Sequence, residues 1–211
     1  MSVVGIVNQK GGTGKSSTAV HLVYWFSLQG SVLLIDADLQ QSSSVWLGHT
    51  ELNIPCQSII NPEKLFEAVT ELRGQYNFIV IDGPAGLNEL TKAILDCVDL
   101  ALVPCQPSGL DLSSSSKILQ LIRHRQQIRQ GLPKMGMFLS RASKGTILLR
   151  EAQQLLSQDP RFPLLNQIIY QRQCIADAPV QDVTVYQMTG SAAKEASLDY
   201  DALFKEAIAL E

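Results

Sequence analysis

Nearly continuous apolar runs occupy residues 2–7, 32–36, 78–82, 99–103, 134–139 and 165–169. Between them, apolar positions recur at helical spacing over 15–29, 62–73, 88–95, 111–130, 145–158 and 194–209. Runs without polar alternation suit strands covered on both faces, and their alternation with amphipathic helices predicts a doubly wound α/β fold. The expected architecture is a mostly parallel sheet with helices on both faces. Gly30 is placed to end the first helix, and Pro104 and Pro107 punctuate the loop after the fourth strand. No linker rich in glycine, proline or serine divides the chain and no internal repeat is found, so one domain over 1–211 is expected.

The first apolar run leads straight into Asn8-Gln-Lys-Gly-Gly-Thr-Gly-Lys-Ser-Ser17, and the first helical pattern follows. A strand therefore meets a helix through a glycine-rich turn, which is where the phosphates of a nucleotide are cradled. Gly11, Gly12 and Gly14 let the backbone approach an anion, and the N–H groups of Thr13, Lys15, Ser16 and Ser17 join the helix N-terminus in offering positive charge. Lys15 supplies a mobile cation and Ser16 a hydroxyl for Mg²⁺. The strict P-loop pattern asks for glycine where Gln9 stands, and an additional lysine, Lys10, precedes the glycine pair.

Two later runs end in carboxylates. Val32-Leu-Leu-Ile-Asp36-Ala-Asp38-Leu-Gln40 carries two, one residue apart, and Asn77-Phe-Ile-Val-Ile-Asp82-Gly-Pro carries one. Ligands of open parallel sheets collect at the carboxyl ends of strands, so Asp38 and Asp82 are expected to face the same phosphates as Lys15. There they can bind a metal-coordinated water or orient an attacking one. Aspartates at strand ends also serve as helix caps and turn formers, so each taken singly has a structural explanation as well.

Lys-Gly-Gly-Thr-Gly-Lys-Ser, followed by Asp-x-Asp-x-Gln and Asp-Gly-Pro, resembles the ParA/MinD superfamily of deviant Walker A ATPases. The likeness is nearest to the ParA-type branch of small partition ATPases. Val103-Pro104-Cys-Gln-Pro107-Ser and the closing segment Ser197 to Glu206 continue it over nearly the whole chain. The resemblance implies a Rossmann-like P-loop NTPase fold, ATP and Mg²⁺ as cofactors, and ATP hydrolysis.

By the same resemblance, Lys10 reaches across an ATP-dependent homodimer to the partner's nucleotide, while Lys15 holds its own. Ser16, Asp38 and Asp82 serve the metal, and Asp38 serves hydrolysis. Phe138-Leu-Ser140-Arg141, at the end of the fifth strand, falls where relatives contact the adenine base, and Gln171-Arg172-Gln173 through Pro179 falls in their second base-binding loop; as plain surface charges Arg141 and Arg172 would need no such role. A small-molecule kinase or ligase and a MinD-like positioning ATPase are the other readings of this pattern.

The net charge of −3 conceals a division. Residues 1–111 carry 5 Lys/Arg against 11 Asp/Glu, residues 112–150 carry 8 against none, and residues 151–211 carry 4 against 9. The acid-free stretch contains Lys117, Arg123, Arg125, Arg129, Lys134, Arg141, Lys144 and Arg150, a composition that attracts a polyanion if these bases share a surface. Arg123 and Arg125 lie about 200° apart around a helix, so they cannot all share one face. The resemblance makes the polyanion non-specific DNA, bound by the dimer, and implies an adaptor protein of the ParB or McdB kind that stimulates hydrolysis.

The phosphate loop begins at the first strand, so no N-terminal DNA-binding domain is expected. Signal-peptide features are lacking, and the C-terminal Leu203 to Glu211 suits core packing better than a membrane surface. The expected location is cytoplasmic and nucleoid-associated. Cys56, Cys97, Cys105 and Cys174 show no metal-binding spacing and read as reduced thiols.

Overall fold

The computed structural model describes residues 1–160 and 162–211, and for 109–114 the backbone alone. Its strands are β1 (Ser2–Asn8), β2 (Val32–Asp36), β3 (Cys56–Ser58), β4 (Phe78–Ala85), β5 (Leu100–Cys105), β6 (Lys134–Ala142) and β7 (Ile169–Tyr170). The helices are α1 (Lys15–Ser27), α2 (Ser42–His49), α3 (Pro62–Leu72), α4 (Glu89–Cys97), α5 (Gly109–Ile128), α6 (Ile147–Gln158), α7 (Gln173–Asp177) and α8 (Ser191–Ile208). The strands form one sheet in the order β3-β2-β4-β1-β5-β6-β7, and every pairing among the described residues is parallel.

Every residue of β1, β2 and β5 is buried, as strands sandwiched between two helical layers must be. On one face Val3, Val7, Leu33 and Ile35 pack against Leu65 and Val69 of α3, Ile94 of α4, Ile122 of α5 and Leu156 of α6. On the other face Val4, Ile6, Leu34 and Val80 pack against Val23 and Phe26 of α1, Trp46 of α2 and Leu203 and Phe204 of α8. The buried positions of α8 are Ala193, Ala196, Tyr200, Leu203, Phe204 and Ala207, one stripe at helical spacing. Its apolar face is thereby occupied by the core, and no helix among the described residues is long and apolar enough to cross a membrane.

The apolar pattern left three elements unpredicted and displaced another. The β3 strand is a three-residue, largely exposed edge strand, Cys-Gln-Ser, with no apolar run to announce it. The α2 helix opens on three serines and buries only Ser43, Trp46 and Leu47, and α7 buries none of its residues. The run at 165–169 pairs as a strand only at its end: Leu165 and Ile168 are buried, yet regular pairing with β6 begins at Ile169. The first helix stops at Ser27, and the N–H of Gly30 returns to the carbonyl of Phe26. Short strands at both edges leave little unpaired backbone to recruit another chain.

Candidate active site

The carboxyl ends of β1, β2 and β4 lie side by side at the centre of the sheet. Asp82 is in register with Ile6 of β1 on one side and with Asp36 of β2 on the other. Above these ends opens a cleft of 910 Å³ lined by Gly11, Gly12, Gly14, Lys15, Ser16, Ser17, Asp38 and Arg141. Residues distant in sequence, from the glycine loop, the β2 end and the β6 end, therefore line one space.

The glycine loop is built to leave donors available. Asn61, Asn88 and Thr146 cap α3, α4 and α6 with side-chain oxygens; α1, α7 and α8 have no side-chain cap, and of these α1 starts from Gly14 on the wall of the phosphate cleft. An anion in the cleft would take that place. Gly14 has φ 94°, and a Cβ there would sit 2.9 Å from Ser140 Oγ. The Gly12 carbonyl accepts bonds from Gln106 Nε2 at 2.9 Å and Arg141 Nη1 at 2.8 Å. The N–H of Gly86 donates to the carbonyl of Gln9 at 2.9 Å, tying the segment after β4 to the start of the loop. Lys15 Nζ donates to the carbonyl of Lys10 at 3.2 Å. Burial lowers the Lys15 pKa, and Asp82 and Asp38 act in the opposite direction.

The three aspartates have different work. Asp36 is fully buried; its carboxylate accepts the Asp38 N–H at 3.0 Å and the Ser44 N–H at 2.8 Å, so it shapes the turn and caps α2. Asp38 lies partly exposed on the cleft wall, one of its oxygens accepting the Gln40 N–H at 3.0 Å. Asp82 is fully buried, and among the described residues neither carboxylate oxygen meets a donor at hydrogen-bonding geometry. Burial raises its pKa to about 7; the Ser16 and Ser43 hydroxyls stand close enough to ease the ionised form, Asp36 opposes it, and Lys15 favours it. An unpartnered buried carboxylate beside a serine hydroxyl and a second carboxylate is a donor set that fits Mg²⁺ with its water shell.

A second cavity of 250 Å³ adjoins the cleft, sharing Gly14, Ser17 and Arg141 with it. Tyr170, Gln171, Arg172, Ile175, Pro179 and Tyr200 complete much of its lining. Arg141, Arg172 and Pro179, singled out from sequence, thus stand together. Arg141 does so with φ 53°, a backbone state uncommon outside glycine. The Arg172 guanidinium bonds Asp199 and Glu195 and lies 5.5 Å from the Tyr170 ring centroid, so it serves as a wall of the pocket with its charge already answered. Tyr170 and Tyr200 were not recognised as lining residues from sequence. Their aromatic character was the available signal, but nothing in the chain order placed them beside Ser17.

The acid-free stretch does not form one uniform basic face. Arg129 donates to the carbonyls of Leu95 and Val98, both at 2.7 Å, and so closes the end of α4. Arg125 is largely buried, its Nε 3.3 Å from Asp96. These two charges are used within the fold, unlike the DNA contacts expected of them. Lys117, Lys144 and Arg150 are exposed and Arg123 is half-buried.

An open parallel sheet whose glycine loop, Lys15 and strand-end Asp38 surround one cleft, with the buried carboxylate of Asp82 beneath, defines a nucleotide-binding domain of the P-loop type. Residues 4–185 match the CobQ/CobB/MinD/ParA nucleotide-binding domain, and the chain belongs to this family, in the ParA/MinD superfamily. Among curated relatives, Maintenance of carboxysome distribution protein A of Gloeobacter kilaueensis is 30% identical over 97% of this chain and 93% of its own length. Among solved structures, the ATP complex of a McdA variant from Cyanothece superposes with TM-score 0.84 at 16% identity, covering 100% of this chain and 97% of that one. The septum site-determining protein MinD of Pyrococcus horikoshii with Mg-ADP gives 0.76 at 23% identity over 99% and 97%.

Proposed function

We propose that this protein is a ParA-type ATPase that dimerises on ATP, binds DNA without sequence preference and hydrolyses ATP when an adaptor stimulates it, thereby positioning a cargo. The observation that carries the reading is the convergence of Lys15, Ser16 and Asp38 on one cleft, with Lys10 in the same loop and buried Asp82 behind it. The names of its relatives support a positioning role, with a plasmid, a chromosome or a protein compartment such as the carboxysome as cargo.

In this reading the loop N–H groups and Lys15 hold the β- and γ-phosphates, giving up the Lys15 bond to the Lys10 carbonyl. Ser16, Asp82 and Asp38 would hold Mg²⁺, which when bound would neutralise phosphate charge. The Asp38 carboxylate orients a water whose oxygen attacks the γ-phosphorus as the bond to the ADP oxygen breaks. Lys10 of one subunit meets the charge developing on the other's nucleotide. The base occupies the 250 Å³ cavity between Tyr170, Pro179 and Tyr200.

Dimerisation doubles the DNA-facing bases, for which Lys117, Arg123, Lys144 and Arg150 are the candidates. Each phosphate contact releases counterions, so DNA affinity should rise on ATP binding and fall steeply with salt. The chain 1–211 acts as one ATPase unit in the cytoplasm, associated with the nucleoid, with a ParB- or McdB-like adaptor as partner. Light scattering of the wild type and Asp38→Ala with ATP and with ADP tests the proposal: a dimer with ATP alone, accumulating in the variant, is expected. A monomer under every ATP condition would sink it.

A further inference from the structure

The segment that carries Pro179 into the second cavity is long and irregular, yet it is fastened at two points to α1 and α2, two of the helices that line the phosphate cleft. Trp46 of α2 is nearly buried, and its indole N–H donates to the carbonyl of Val183 at 3.1 Å. His21 of α1 is fully buried, and its Nε2 accepts the N–H of Val185 at 3.1 Å. The other ring nitrogen, Nδ1, lies 2.6 Å from the carbonyl of Ser17, an acceptor only, so the neutral ring is protonated there and both nitrogens are used. The imidazole stacks on Tyr200, centroids 4.4 Å apart and planes 6° from parallel, and meets the Trp46 ring edge-on at 5.5 Å.

Two of the His21 contacts reach the site itself. Ser17 lines both cavities and Tyr200 lines the second. The Val183 N–H closes back onto the carbonyl of Ala178, the residue before Pro179, so fixing Val183 and Val185 fixes the pocket wall. Trp46 also ties that wall to α2, the helix that Asp36 caps and that begins four residues after Asp38.

We infer that His21 and Trp46 are positioning residues for base recognition: they set the Pro179 wall at a defined distance from the first turn of α1, so that base and phosphates of one nucleotide fit together. The inference rests on the second cavity taking the base. It makes a separation that general scaffold damage does not. Loss of either tether should weaken a ligand that bridges both cavities and leave a ligand confined to the phosphate cleft untouched.

The probes are Mg-ATP and inorganic tripolyphosphate with Mg²⁺, titrated calorimetrically into the wild type, His21→Phe and Trp46→Phe. Phenylalanine at 21 keeps an aromatic stack on Tyr200 and deletes both hydrogen bonds; at 46 it keeps apolar volume and deletes the donor to Val183. Each variant should bind ATP about tenfold more weakly, the effect of a buried backbone group left without its partner, with tripolyphosphate affinity unchanged. Unchanged ATP affinity in both variants, or equal losses for both probes, would overturn the inference. A wild type that binds tripolyphosphate as tightly as ATP would overturn it too, since the base would then add nothing. Failure of the wild type to bind ATP at all would instead remove the functional reading beneath it. The conservative Trp46→Phe keeps the test decisive should His21→Phe not fold.

Discussion

Replacing Asp82 by asparagine should stabilise the nucleotide-free protein at alkaline pH while abolishing its Mg²⁺-dependent affinity for ATP. The native carboxyl keeps its proton up to about pH 7, whereas the unfolded chain releases it near 3.8. Between those values the native state binds more protons than the unfolded one, so this group's contribution to stability declines as pH rises through the window and is flat above it. At about 1.36 kcal/mol per unit, the decline between pH 5 and pH 8 is about 3 kcal/mol. Asparagine has no charge to desolvate, and its amide can donate to Ser43 Oγ, itself buried without a partner. The stability difference between variant and wild type should therefore grow by about 3 kcal/mol from pH 5 to pH 8, measured by urea denaturation without nucleotide or Mg²⁺. Comparing the two pH values cancels packing changes made by the amide, and His21 contributes equally to both proteins. A difference that stays constant with pH would refute the account of Asp82 as a carboxylate held under strain for a cation.

Lys15→Ala should abolish ATP binding in calorimetry, whereas Lys10→Ala should retain it and lose the ATP-dependent dimer in light scattering; equal loss of binding would contradict their separate roles. Acid should weaken the fold through His21, whose pKa burial lowers to about 4. Its stabilising contribution is whole above pH 6.5 and falls by about 3 kcal/mol toward pH 4, a loss that denaturation curves of His21→Phe should lack. Gly83→Ala would set a Cβ 2.8 Å from the backbone oxygen of Ile6, forcing β4 from β1 and costing about 1–3 kcal/mol in denaturation. Arg129→Ala should cost about 1–3 kcal/mol by leaving two carbonyls without their donor. Lys144→Ala with Arg150→Ala should leave stability alone and reduce both DNA affinity and its salt dependence, read by fluorescence anisotropy.

The central strands and the phosphate loop were legible because their signals are local. Four residues that become β-core in β2, Val32 to Ile35, announce themselves by composition, and Gly14 by a backbone state that glycine adopts most readily. Of Asp36 and Asp38, two residues apart, Asp38 was expected at the phosphates and does line the cleft, but the work of Asp36, capping α2 through Ser44, depends on where the following turn goes and left no local signal. Arg129 looked like a surface base by its charge, but the carbonyls it closes belong to α4, thirty or so residues earlier in the chain. Short elements with few buried residues, β3 and α7, owe their form to neighbours, and no periodicity reveals them.

The bond from the Gly86 N–H to the Gln9 carbonyl joins the phosphate loop to the segment leaving β4 through main-chain atoms alone. No side-chain atom takes part in it, so changes around it leave it in place, although at Gly86 itself any side chain is strained by the backbone conformation. Proline at 86 would remove the hydrogen, but the φ of 109° found there is closed to proline, so that change would break the turn as well. Evolutionary drift at these loops can therefore retune what each one touches, while the wiring between them is inherited with the backbone.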